Sequence, residues 1–115
     1  MPNQVVPAHT IGLPVDLDDP RVSAVRHKLP ADAEVVRAFV SRVPAGHREE
    51  FHRHELRYAA FFLTSGEAEA VAPDGRVLAT VTLAEGAIRL FDNVPVDHAL
   101  RAGDREAAYL AVEFR

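Results

Sequence analysis

Beyond residue 34 the hydrophobic and polar positions follow the short beat of β-structure. Val35–Val43 is dense in β-branched and aromatic residues and is broken by Pro44-Ala45-Gly46. Residues 57–63 form another apolar run, closed by Ser65-Gly66. Glu67-Ala68-Glu69-Ala70-Val71 alternates polar with apolar, and Pro73-Asp74-Gly75 turns the chain. Residues 76–83 carry Val77, Thr80, Val81 and Thr82, and Glu85-Gly86 leads into residues 87–91. Asp92-Asn93 and Pro95 make a corner, residues 96–100 resume the pattern, and Ala102-Gly103-Asp104 turns into the final run, 106–114. About eight short strands at this regular spacing predict an all-β antiparallel barrel or sandwich.

Residues 1–34 are of another character. Pro2, Pro7, Pro14, Pro20 and Pro30 punctuate them, a density that defeats a helix interior and confines strands to edges. Short extended pieces are expected at 4–6 and 22–27, with no helix beyond a turn near 31–34. Two roles stay open for this segment: an arm laid on the barrel or on a partner subunit, and a mobile tail over its first few residues. The Asp16, Asp18, Asp19 group lacks the glycine and distal glutamate of a loop-type calcium site and reads as a solvated turn. The division is therefore an N-terminal arm, 1–34, and a barrel, 35–115.

Composition narrows the function. At 115 residues one domain is the natural prior, and 48% apolar with 26% charged residues is ordinary for a soluble fold. A net charge of −4 without any basic run argues against nucleic acid or a membrane surface as partner. Cysteine is absent, which removes disulfides and thiolate metal sites and leaves His, carboxylate, Tyr or water as ligands. No apolar stretch approaches membrane-spanning length. The first ten residues, MPNQVVPAHT, lack the charged and apolar regions of a secretory signal. A cytoplasmic protein is expected.

The candidate chemistry lies in residues 46–66, GHREEFHRHELRYAAFFLTSG. On a strand, residues two apart share a face, so His52 and His54 project together. Glu50, Leu56 and Tyr58 join them if the strand stays regular. Two imidazoles on one wall are half of a metal site. His47 falls in the turn before the strand, while His9 and His27 lie in the arm and read as surface residues. Glu55 and Arg57 have the outward parity. Phe62 shares the parity of Tyr58 and can line a pocket.

These residues resemble the cupin superfamily of small β-barrels, whose first motif runs G-x5-H-x-H-x3,4-E-x6-G. Gly46, His52, His54 and Gly66 fit it, but Tyr58 or Ala59 stands where the family has Glu. A second, looser motif begins at Gly86. There His98 is the candidate ligand, Pro95 is displaced, and Arg101 or Ala102 replaces the usual Asn. The resemblance covers residues 35–115 and implies a double-stranded β-helix, the cupin or jelly-roll barrel. It also implies that His52, His54 and His98 bind one divalent transition metal. Fe(II) is favoured, with Ni, Zn, Cu or Mn as other nitrogen-tolerant choices.

Three neutral imidazoles leave the metal's double charge uncompensated and at least one coordination position open. Occupancy is expected to fall below about pH 6.5, where imidazole protonates. Tyr58 has two readings: a weak fourth ligand or proton donor to substrate, and a pocket-lining aromatic whose hydroxyl finds a partner. Glu50 is the expected outer residue orienting an imidazole. The leading function is a metal-dependent enzyme acting on a small anionic or dicarbonyl-like metabolite, with an oxygenase as first choice. Its rivals are a non-oxidative isomerase, cyclase or lyase using the metal as Lewis acid, and a non-catalytic module that binds a metal or small ligand. A homodimer is expected, because small barrels leave sheet edges to be covered.

Overall fold

A computed structural model of the chain describes Gln4–Val5 and residues 13–115; His9 lies outside them. Among the described residues there are eleven strands and one helix: β1 (Gln4–Val5), β2 (Leu13–Pro14), α1 (Pro20–Arg26), β3 (Val35–Val43), β4 (His47–Arg48), β5 (His52–His54), β6 (Arg57–Phe62), β7 (Gly66–Val71), β8 (Val77–Leu83), β9 (Ile88–Phe91), β10 (Val94–Ala102) and β11 (Ala107–Phe114). One sheet has the order β1-β4-β10-β7-β8, with β5 also on β10; the other has the order β2-β3-β11-β6-β9. Apart from the parallel β1–β4 pair, every pairing is antiparallel. The two sheets face each other as a double-stranded β-helix, and the helix is too short and polar to cross a membrane.

β11 explains how the layers are held. All eight of its residues are buried, so both of its faces are covered. Tyr109 and Ala111 point into the barrel with Phe39, Phe62 and Leu83. Leu110 and Val112 point the other way and pack with Val22 and Val25 of α1, Ala38 and Ala59. Strand alternation thus builds an inner core and an outer cluster on the two sides of one sheet.

The helix corrects the extended segment expected at 22–27. Asp19 caps it by accepting the Arg21 N–H at 2.8 Å, and Pro20 occupies the first turn, where its missing N–H costs nothing. Proline breaks a helix interior, yet at this position it starts a helix. Val22 and Val25, three apart, form the buried stripe, each contributing about 2 kcal/mol by leaving water. Through α1 and the β2–β3 pairing, Leu13↔Val40 and Pro14↔Phe39, residues 13–26 pack on the β3–β11–β6 sheet.

Two strand details position the site. The turn into β4 uses Gly46 at φ 75°, a left-handed conformation glycine adopts without strain. Between the pairs Arg48↔Arg101 and His52↔His98, four steps on the β4–β5 side face three on β10. The extra residue is a bulge. It breaks the regular alternation over 49–51 and re-aims the side chains that follow.

Candidate metal centre

His52 and His98 are direct cross-strand partners on β5 and β10, and His54, two residues on from His52, projects to the same interior. The ring centres lie 4.6 Å apart for His52–His98 and 5.1 Å for each of the other two pairs. Three imidazoles bound to one ion through Nε2 at about 2.1 Å would place their centres roughly 4.6–5.3 Å apart. One ligand nitrogen from each residue lies within 4.8 Å of the others.

The tautomers suit the same task. His52 Nδ1–H donates to the Glu50 carbonyl at 2.8 Å, and His98 Nδ1–H donates to the Val96 carbonyl at 2.9 Å. A carbonyl only accepts, so Nδ1 carries the proton and the Nε2 lone pair is left for a ligand. Burial lowers the pKa of His54 to about 3, with neighbouring His52 and His98 adding to the effect, and burial also lowers that of His98. His54 and His98 are therefore neutral donors at ordinary pH, as coordination requires. This donor set fits a divalent transition metal.

The opposite sheet supplies the other wall. Tyr58 of β6 stacks on His54, with centres 4.1 Å apart and planes at 23°, and on Phe91 of β9 at 5.0 Å. Burial, with the Glu49 charge second, raises its pKa to about 12, so the phenol keeps its proton. Among the described residues its hydroxyl makes no hydrogen bond. Phe62, Ala60, Val81, Ala70 and Leu100 complete an apolar cavity of about 80 Å³. That is roughly the share of two or three waters, far below the 300–1,000 Å³ or so of sites for drug-sized ligands.

The structure thus brings His52, His54, His98, Tyr58 and Phe62 to one cavity. It leaves Glu55 and Arg57 exposed, as their parity implied, and keeps His27 on the surface. His47 is half-buried, its Nδ1 donating to the Ala45 carbonyl at 3.0 Å. The Glu50 side chain is a correction. It is exposed, and only the main-chain carbonyl of Glu50 orients His52. The expectation assumed unbroken alternation from 50 to 52, which the bulge removes.

The carboxylate facing the cavity is Glu49 instead. It is 1% exposed and accepts Ser41 Oγ–H at 2.6 Å and Tyr109 O–H at 2.5 Å on Oε2, and Leu100 N–H at 2.8 Å on Oε1. Its Oε1 lies 3.9 Å from His52 Nε2. Sequence parity hid this residue. The one available signal was Tyr109, a phenol on an otherwise apolar closing strand, whose hydroxyl needs a buried acceptor.

No protein-family model matches the chain, and no curated protein does. Solved structures do. A cupin domain from Bordetella pertussis Tohama I is 25% identical, with a TM-score of 0.59 over 71% of this chain and 83% of that one. An RmlC-like cupin family protein with a double-stranded β-helix fold from Methanocaldococcus jannaschii is 16% identical, with a TM-score of 0.51 over 70% of each chain. The DMSP lyase DddQ from Ruegeria pomeroyi DSS-3 is 24% identical, with a TM-score of 0.49 over 75% of this chain and 50% of that one.

Proposed function

From the premise that this chain is a member of the cupin superfamily, we propose that it is a metal-dependent enzyme acting on a small, largely apolar molecule with one chelating oxygen head, an oxygenase first of all. The observation that carries the reading is the convergence of His52, His54 and His98, with Nδ1 of both His52 and His98 tied to main-chain carbonyls. A metal held there supplies a Lewis acid with open positions and, as Fe(II), a centre that admits dioxygen beside a chelating substrate.

The chain's own residues set the rest. The β5–β10 ladder fixes His52 opposite His98, so little reorganisation is needed to gather the ligands. Phe62, Phe91, Val81 and Leu100 line the cavity with apolar surface and exclude water. No Lys, Arg, Asn or Gln lines it among the described residues, so beyond the chelating head a substrate finds few polar partners, chiefly the Tyr58 hydroxyl, which disfavours sugars and phosphates with their many polar groups. Tyr58 holds a proton at its phenol oxygen, on the cavity wall.

That proton supports a second reading, a non-oxidative isomerase, cyclase or lyase in which Tyr58 is the acid. Elemental analysis of untagged protein, followed by oxygen uptake with Fe(II) and a panel of small 2-oxo, 2-hydroxy and dicarbonyl acids, separates the two. Substrate-dependent oxygen consumption supports the oxygenase. Turnover without oxygen, lost in Tyr58→Phe, supports the second reading. Ligand-induced stabilisation with no turnover under any metal would reduce the protein to a binding module. Absence of stoichiometric metal would overturn both metal-dependent readings.

A further inference from the structure

Glu49 is the buried ionisable group that this scheme leaves unused. Three neutral donors hold it, from Ser41 on β3, Tyr109 on β11 and the main chain of Leu100 on β10. A carboxylate out of water also calls for a positive charge. Among the described residues, the only group within 4.0 Å of it that can become a cation is His52, and that imidazole must be neutral to serve as a ligand. The imidazole set lacks a negative charge, and the carboxylate lacks a positive one. Oε1 is the oxygen with spare acceptor capacity: it takes one hydrogen bond where Oε2 takes two, and it is the one nearest His52 Nε2. The bulge between β4 and β5 puts it on the cavity side.

We propose that Glu49 is the anionic partner of the metal centre, a positioning residue that compensates the charge of a divalent cation held by His52, His54 and His98. The carboxylate comes from the segment before the first histidine, while the position four residues after the second histidine, where the motif offers one, holds Tyr58. The inference rests on the three-imidazole reading. A purely structural part, satisfying Tyr109 and Ser41, would not require Glu49 to sense the ion.

The test uses the full chain and Zn(II), a diamagnetic probe, with affinities from chelator competition. Glu49→Gln keeps the shape and removes the charge, and a 10–100-fold weaker Zn(II) affinity is expected, the usual scale for an outer partner of a ligand. Tyr109→Phe removes a hydrogen bond but keeps the charge, and a change of less than threefold is expected. Zn(II) affinity unchanged in Glu49→Gln, or equally weakened in Tyr109→Phe, overturns the proposal. Because the Gln amide opposes one of three donors and the variant can fail to fold, the wild-type protein gives a second readout. The Cδ resonance of Glu49 should shift on adding one equivalent of Zn(II), while that of exposed Glu50 stays in place. An unmoved Glu49 Cδ in protein that binds Zn(II) overturns this inference alone, whereas wild-type protein that binds no Zn(II) overturns the three-imidazole reading and this inference with it.

Discussion

Replacing Tyr109 with Phe deletes one oxygen from the best-buried polar cluster in the barrel. The phenol donates to Glu49 Oε2 at 2.5 Å, and burial keeps it protonated by raising its pKa well above the usual value. The ring packs in the inner core and is kept by Phe, so the change isolates the hydrogen bond. A bond to a charged group contributes about 1.5–3 kcal/mol. Glu49 retains Ser41 Oγ–H and Leu100 N–H, which places the expected loss toward the lower half of that range. In a domain of this size roughly 4 °C of Tm accompanies each kcal/mol, so a fall of about 6–10 °C is expected. Ser41→Ala should cost a similar amount. The double variant should lose more than the two single losses together, because both hydroxyls serve one oxygen and removing both leaves it bare. The assay is urea and thermal unfolding of chelator-treated protein, so that bound metal does not add its own stabilisation. A loss below 0.5 kcal/mol in Tyr109→Phe, or strict additivity in the double variant, would refute the view that Glu49 Oε2 depends on these two donors.

His98→Ala should reduce metal from one equivalent to none by elemental analysis while the far-ultraviolet circular dichroism stays that of the parent; retained stoichiometric metal would remove His98 from the ligand set. Metal-free protein should lose stability as pH falls from about 6.5, because His54, lowered to about 3, and His98, also lowered, stay neutral in the fold and protonate once unfolded. Each contributes a slope of about 1.4 kcal/mol per pH unit while its folded form stays neutral. The carboxylates with lowered pKa values, half-buried Asp19 and exposed Asp97, add their loss only below about pH 4, so a flat profile from 6.5 to 4.5 would count against the neutral rings. Val25→Ala, in the cluster between α1 and the outer face of the sheet, should cost about 2 kcal/mol yet leave Zn(II) affinity unchanged; a large loss of affinity would mean that the helix supports the site and not only the fold.

Much of this molecule is written in local pattern. The density of β-branched residues gave Val35–Val43 its full length as β3, and the period of two placed Tyr58 and Phe62 on the inner face of β6. His52 and His54 share a face for the same reason, since strand parity is a property of two neighbouring residues. The helix Pro20–Arg26 also carries a local signal, Asp19-Pro20 as cap and first turn, which the proline density around it masks.

The sequence by itself determined which residue types line the barrel and which two rings point together, because these follow from side-chain alternation along a single strand. Only the tertiary structure decided which acid faces them. A one-residue mismatch between β4–β5 and β10 exists only once the two strands are paired. It turns Glu49 toward Ser41 and Tyr109 of the opposite sheet and leaves Glu50 in solvent. Register is a relation between segments some fifty residues apart, and no window on either one contains it.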